Sequence, residues 1–353
     1  VSWTGMASAT GAEAHGDGRR SSDAAGVIVL GACAAWAVIS ASAHGGRPEG
    51  MLLAVLAVAA GHSAGRISGA LLPVAAPCAA ALGGLGLAIA TPYLTPGAQS
   101  GVPLGEAGAT AALLALSTGA ACCAAWAASA PSLRLLLRLL ACGIATAAVA
   151  LGTTAGAVLC AIVLLCSLAA GGMRSRGLGV AGLATAAALV TVALWAVAER
   201  ALPDGLAVSL ESRLTAKRVE LWQDAVRLAH DDLLLGVGPG RFGELSPAAA
   251  GAPFPDGKPH SAPLQMLAEQ GVVGLVLLGA AFVWVLHTLW RNARTTPVAL
   301  TAGAALTAVA AVSAVGNALS FTTVSVGAGL LAGLATARPL AEQPYEAGAR
   351  SGG

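Results

Sequence analysis

Ten apolar runs, most of them close to the roughly 20 residues that cross a bilayer as helix, follow one another along this 353-residue chain. They lie near 26–43, 50–66, 69–90, 107–129, 135–151, 154–170, 178–198, 268–289, 297–317 and 322–337. Charged residues make up only 10% of the chain, far below the share in soluble domains. In hydrocarbon each backbone N–H and C=O must find its partner within the protein, which leaves only helices or a closed barrel. Runs of this length select helix, so the expected fold is all-α. The chain reads as a polytopic membrane bundle of about ten transmembrane helices, one per run, with a single large loop outside it. A net charge of +2 speaks against nucleic acid or a polybasic lipid contact as the partner.

Arginine placement sets the orientation. Arg19 and Arg20, Arg66, Arg134 and Arg138, Arg174 and Arg176, Arg291 and Arg294, and Arg338 all fall on one side, while the opposite short loops carry only Arg47. The positive-inside rule then predicts that both termini are cytoplasmic and that the polar stretch 200–263 is external, where no nucleotide is available. The resulting division is a disordered cytoplasmic tail over 1–25, transmembrane helices 1–7 over 26–199 and the extracytoplasmic loop over 200–263. Helices 8–10 follow over 264–338, with a cytoplasmic tail over 339–353. Pro73 and Pro77 interrupt the third run.

The apolar bulk is mostly Ala, Leu, Val and Gly, which permits close helix packing, although a GC-rich genome produces the same bias. Cys33, Cys78, Cys122, Cys123, Cys142, Cys160 and Cys166 all fall in apolar runs without CxxC spacing. They read as small hydrophobes rather than as a metal site or a disulfide framework.

The 200–263 stretch holds seven of the nineteen Lys and Arg residues. Within it, residues 216–230 (AKRVELWQDAVRLAH) repeat at a helical period. Val219, Trp222, Val226 and Ala229 form the apolar stripe, and Lys217, Glu220, Asp224 and Arg227 the solvated face. The helix is expected to lie on the membrane surface or across the mouth of the bundle. Arg218 projects into the apolar stripe, where it either snorkels to a headgroup or meets a buried anion. Gly236-Val237-Gly238-Pro239-Gly240 is a turn-forming run; it lacks the Lys-Ser/Thr of a nucleotide loop, yet its backbone N–H groups can approach an anion. His260 is either an interfacial surface residue or a proton-transfer group. Glu269, at the start of the eighth run, faces either the bundle interior or the headgroups.

Taken in order, three elements resemble the O-antigen ligase and polymerase family of bacterial membrane glycosyltransferases. They are Arg218-x3-Trp222-x-Asp224-Ala225, then Leu235 through Gly236, Gly238 and Gly240 to Arg241-Phe242, then His260-Ser261-x9-Gly271-x2-Gly274 with Glu269 inside it. The resemblance implies a ligase-like domain over about 150–290 that works at the outer face of the membrane. The donor would be a glycan on undecaprenyl pyrophosphate, the acceptor a lipid, glycan or protein, and no cofactor would be needed. Arg218 would bind the diphosphate, with Arg213 and Arg241 as weaker candidates for the same anion, and His260 would act as general base in an inverting transfer. Trp222, the motif glycines, Ser261 (in place of a frequent Asn) and Glu269 would support that site. The family's further arginine at the outer edge of a middle helix is replaced here by Ala155. Two other readings stay open: a translocase of lipid-linked glycan, and a catalytically silent partner in envelope assembly.

Overall fold

The computed structural model describes residues 6–94, 104–199, 216–250, 257–292 and 294–338. Helices form at all ten apolar runs. They are α1 (Met6–His44), α2 (Glu49–Leu71), α3 (Ala75–Leu94), α4 (Leu104–Ala127), α5 (Pro131–Ala150), α6 (Thr154–Ala170) and α7 (Arg176–Ala198). After α8 (Ala216–Asp231), which comes from the polar stretch, follow α9 (Ala262–Arg291), α10 (Thr296–Val315) and α11 (Thr322–Thr336). Single-turn helices at Phe242–Leu245 and Pro247–Ala250 sit between α8 and α9. Among the described residues, seven helices are long and apolar enough to cross a membrane, and three shorter apolar helices complete the ten.

Three boundaries differ from the sequence reading. The second helix continues past Arg66 to Leu71 and the third starts at Ala75. The break falls at Pro73, which has no N–H to donate and excludes the preceding residue from helical geometry. The ninth helix starts at Ala262, ahead of its apolar run, because Ser261 caps it: the Ser261 hydroxyl accepts from the Leu264 N–H. The first helix begins at Met6, upstream of the apolar run and within the stretch expected to be a disordered tail. The 339–353 tail lies outside the described residues.

More than three quarters of the apolar spans of α4 and α10 is buried inside the bundle, whereas α7 is almost wholly exposed. Leu136, Leu165, Leu178, Leu189 and Val276 point outward, an apolar surface that suits lipid and not water. The tightest helix pair is α2 with α11. Ala57, Gly61, Gly65 and Gly69 form one buried face of α2 at four-residue spacing, and they meet Gly329 and Gly333 of α11. A Cβ on Gly65 would lie 2.3 Å from the Leu330 carbonyl oxygen, and one on Gly333 2.2 Å from that of His62. The two backbones thus approach as closely as small-residue transmembrane contacts allow.

The arginine-bearing connections gather at one end of the bundle. Arg66 pairs with Asp23, and Arg294 donates to the carbonyls of Ala337 (2.7 Å) and Gly69 (3.0 Å). Arg176 donates to the carbonyls of Asn292 and Arg294. At the other end the α1–α2 connection meets the polar stretch, the Arg47 N–H donating to the Pro239 carbonyl at 2.7 Å. The connections bearing Arg66, Arg176 and Arg294 thus lie together, apart from the one bearing Arg47.

Gly65→Leu is expected to split α2 from α11 and to cost about 2 kcal/mol or more of stability. Gly83→Leu, at a position with open space around it, should cost little. Thermal unfolding of the two purified variants in detergent checks this.

Candidate functional site

The amphipathic helix α8 crosses the end of the bundle. Val219, Trp222, Val226 and Ala229 are buried as their spacing predicts, joined by Leu221, Ala225 and Leu228. Trp222 anchors a cluster with Leu194 and Ala198 of α7, Leu264 and Ala268 of α9, and Phe242. Asp224 departs from the expected solvated face. Its carboxylate accepts from the Ser246 hydroxyl (2.6 Å) and the Ala248 N–H (3.1 Å) and pairs with Arg227. The carboxylate ties the Pro247–Ala250 turn to α8, a role that spacing within α8 cannot reveal. Arg218 is half-buried in the first turn of α8, and among the described residues its buried Nε has no hydrogen-bond partner. Burial pushes its pKa below the usual guanidinium value, because desolvation disfavours the charged form.

Beyond α8 the chain folds onto a break in α9. Gly271 has φ 67° and ψ −167° inside the helix, which interrupts the i→i−4 ladder and frees three carbonyls. The Ala268 carbonyl accepts from the Val237 N–H at 2.8 Å, and the Glu269 carbonyl from the Gly238 N–H at 2.9 Å and the Ser40 hydroxyl at 3.2 Å. The Gln270 carbonyl accepts from the Trp36 indole at 2.9 Å. On the far side of the break the Val272 N–H donates to the Leu233 carbonyl at 2.8 Å. Gly271 is required twice over, since its φ is positive and an added Cβ would lie 2.2 Å from the Leu234 carbonyl oxygen. Gly236 is pressed equally hard, 2.6 Å from the Ala268 oxygen by the same construction. Gly238 and Gly240 complete the turn, and Gly274 packs against the Gln270 side chain. Asp232 starts the turn by accepting from the N–H groups of Leu234 and Leu235.

His260 precedes this helix with φ 53°, alone among the described non-glycine residues in having a positive φ. Such a conformation costs a β-carbon-bearing residue about 1–2 kcal/mol, and it persists only where the surroundings impose it. His260 and Ser261 are both buried. Arg241 is engaged in the scaffold, donating to the His44 carbonyl at 2.7 Å and lying 3.8 Å from Glu244. Arg213 lies outside the described residues.

A cavity of about 660 Å³ opens between α1, α2, α9, α10 and α11, within the size range of small-ligand sites. Its mouth is polar, with Arg47, Glu49, Glu244, Lys258, Gln265 and Glu269 on the rim. Its depth is apolar, lined among others by Leu30, Val58, Leu278, Phe282 and Val309. Glu269 faces this interior and not the headgroups: it is buried, and one carboxylate oxygen accepts from Gln265 at 3.3 Å. Its other oxygen has no hydrogen bond among the described residues. The backbone of Gly240 and Phe242 lies close to it, with Lys258 in electrostatic reach.

Of the residues singled out from sequence, Glu269 and Gly240 line the cavity, whereas Arg218, Trp222, Arg241, His260 and Ser261 do not. The neighbours of His260, Lys258 and Ala262, do line it. Sequence reasoning did not single out the rim residues Arg47 and Lys258 as site residues, nor the α1 groups Trp36 and Ser40 that bond to the break. The available signal was Arg47 itself, the one arginine on an otherwise arginine-free set of short loops. Among the described residues no three His, Cys, Asp or Glu side chains gather as a metal site, and all seven cysteines are free thiols.

Fold and site define a polytopic helical membrane protein whose large polar loop is bolted onto a broken transmembrane helix. Residues 139–279, from α5 past that break, match the family model described as O-antigen ligase. That match spans 141 of the 353 residues, and it is this part of the chain that is similar to the O-antigen ligase family. Among curated proteins and among solved structures nothing matches.

Gly271→Ala is expected to destabilise the protein by about 3 kcal/mol, through positive φ and overpacking together. Gly279→Ala, on the same helix with open space around it, should be neutral or slightly stabilising. The difference in their unfolding midpoints checks the account of the break.

Proposed function

We propose that this protein transfers a glycan from a lipid pyrophosphate carrier to an acceptor hydroxyl at the outer face of the cytoplasmic membrane. O-antigen ligase or polymerase chemistry in general follows from the family match, and the donor, orientation and residue roles are our reading. The observation that carries it is the cavity, which pairs an apolar shaft for a lipid chain with a charged mouth. That mouth is lined by Gly240, Glu244, Lys258 and Glu269 of the motif-bearing stretch, at the end of the bundle opposite the connections bearing Arg66, Arg176 and Arg294. With that arginine-rich end in the cytoplasm, the mouth is extracytoplasmic.

In this reaction the acceptor O–H gives its proton to the His260 imidazole while its oxygen forms a bond to the anomeric carbon. The bond from that carbon to the pyrophosphate oxygen breaks, and its electron pair leaves with the lipid diphosphate. Configuration at the anomeric carbon inverts. The leaving group is already activated, so the protein has to supply charge stabilisation and a base. Arg218, half-buried with an unbonded Nε, suits the diphosphate, because a desolvated guanidinium gains more from an anion than an exposed one. Glu269 and Gln265 suit the sugar hydroxyls.

The silent-partner reading draws on Ala155, which stands exposed in the first turn of α6 and does not line the cavity. Covalent product separates the two readings. Wild-type protein in lipid, given undecaprenyl-pyrophosphate glycan and envelope acceptors, should form product without ATP. His260→Gln removes the proton-accepting imidazole while keeping a side chain in its buried place, and should be slower by about a hundredfold or more. Equal rates for the two would sink the role of His260 as base, and no product from wild type would sink transfer itself. Arg218→Ala should lower kcat/KM at least about tenfold, with Arg218→Lys retaining part of the activity.

A further inference from the structure

At the end of the bundle that carries the polar stretch, the described arginines fall into two groups. Arg227 is held by Asp224 at 3.0 Å, and Arg241 by the His44 carbonyl and Glu244. These guanidiniums are committed to the scaffold. Arg218 and Arg47 are not committed in this way. Arg47 is exposed on the rim of the cavity, and among the described residues no carboxylate lies within ion-pair distance of it. Its position is nevertheless fixed. The Arg47 N–H donates to the Pro239 carbonyl at 2.7 Å, and Gly46 sits so close to Pro239 that an added Cβ would meet its carbonyl oxygen at 2.7 Å. The α1–α2 connection is thus clamped to the Gly-rich turn, and that turn is clamped to the break in α9. The backbone that carries Arg47 is thereby held at the rim, and only the side chain is left to order on binding.

We propose that Arg47 contacts the diphosphate of the lipid carrier seated in the cavity, with Lys258 as the other cation of the same lining. The inference rests on the lipid-linked donor reading above and adds a residue that neither the motif spacing nor the family match singles out, since residue 47 lies well outside 139–279. The layout of the cavity matches such a ligand part by part. The apolar shaft takes the isoprenoid chain. Arg47 and Lys258 at the mouth face the phosphates, and the carboxylates of Glu49, Glu244 and Glu269 on the same rim are placed for sugar hydroxyls. A guanidinium suits a diphosphate because it offers paired donors to adjacent oxygens and stays charged. Arg47 also answers the absence of an arginine at 155, because it brings a cation to this end of the bundle from a different connection.

The test uses the full-length protein in phosphatidylcholine nanodiscs, titrated with undecaprenyl pyrophosphate carrying no glycan, then with phosphatidylglycerol, with occupancy read by native mass spectrometry. Wild type, Arg47→Ala, Arg47→Lys and the control Arg227→Ala are compared, each first shown to unfold at the wild-type temperature. Arg47→Ala should weaken undecaprenyl pyrophosphate binding by about tenfold or more, the loss of one charge-assisted contact. Arg47→Lys should recover part of that loss, and Arg227→Ala should bind like wild type. Where transfer is measured, the defect should fall on donor KM more than on kcat. An unchanged Kd in Arg47→Ala overturns the proposal, and so does phosphatidylglycerol binding as tightly as undecaprenyl pyrophosphate. If wild type binds the lipid pyrophosphate but forms no glycan product, the transferase reading fails while Arg47 is still judged on its Kd.

Discussion

A helix broken inside a membrane protein must have its freed backbone groups satisfied by other parts of the same chain, because lipid offers neither donors nor acceptors. At the break around Gly271 other segments supply partners on both sides. The carbonyls of Ala268, Glu269 and Gln270 take donors from Val237, Gly238, Ser40 and Trp36, and the Val272 N–H reaches the Leu233 carbonyl. Three segments far apart in sequence are joined by this one set of bonds: α1, the Gly-rich turn and α9. Each bond is worth only about 1 kcal/mol net, but leaving any of these groups unpaired in a dry interior costs more than forming the bond returns. The arrangement is therefore close to all-or-none, and the position of every residue near the break depends on it.

The same constraint organises the chemistry. Glu269 sits just before the break, its carbonyl already committed to Gly238 and Ser40, so its side chain is held at a set height on the cavity wall. His260 lies on the other side of the Ser261 cap, in a backbone conformation that its own side chain disfavours. Arg47 reaches the rim because the α1–α2 connection leans on the turn that fills the break. Rigid backbone thus places two cations and three carboxylates around one opening, while the apolar depth between the helices is left for a chain of similar polarity. An exposed guanidinium alone would contribute little to binding. Beside a low-dielectric shaft, the same guanidinium would contribute far more to holding an anion.

Much of the architecture was legible before any coordinates. The ten runs became ten helices, and the stripe of Val219, Trp222, Val226 and Ala229 was buried. Errors arose wherever a residue's partner lay outside its own helix. Asp224 has the spacing of a solvated residue, yet it serves the Pro247–Ala250 turn. Arg241, a candidate anion ligand by sequence, also donates to the His44 carbonyl at the end of α1, a contact its spacing does not announce. Hydropathy puts the start of α9 later than the Ser261 cap does, and it ends α2 near Arg66 although the helix runs on to Leu71. Gly271 and Gly274 were recognisable as a pair, but nothing in their spacing says that one breaks the helix and the other packs against Gln270.

What the sequence determined by itself is the class of fold and the division of labour along the chain. Run length, charge placement and helical period are local properties, and the bilayer acts on them one segment at a time. Tertiary structure alone decided which polar groups meet. Whether a guanidinium is a strut, as in Arg241, or stands open at a cavity mouth, as in Arg47, depends on which carbonyl or carboxylate another segment brings within 4 Å. That outcome is set by how α1, the Gly-rich turn and the broken α9 lock together through backbone bonds, which carry no side-chain signature to be read.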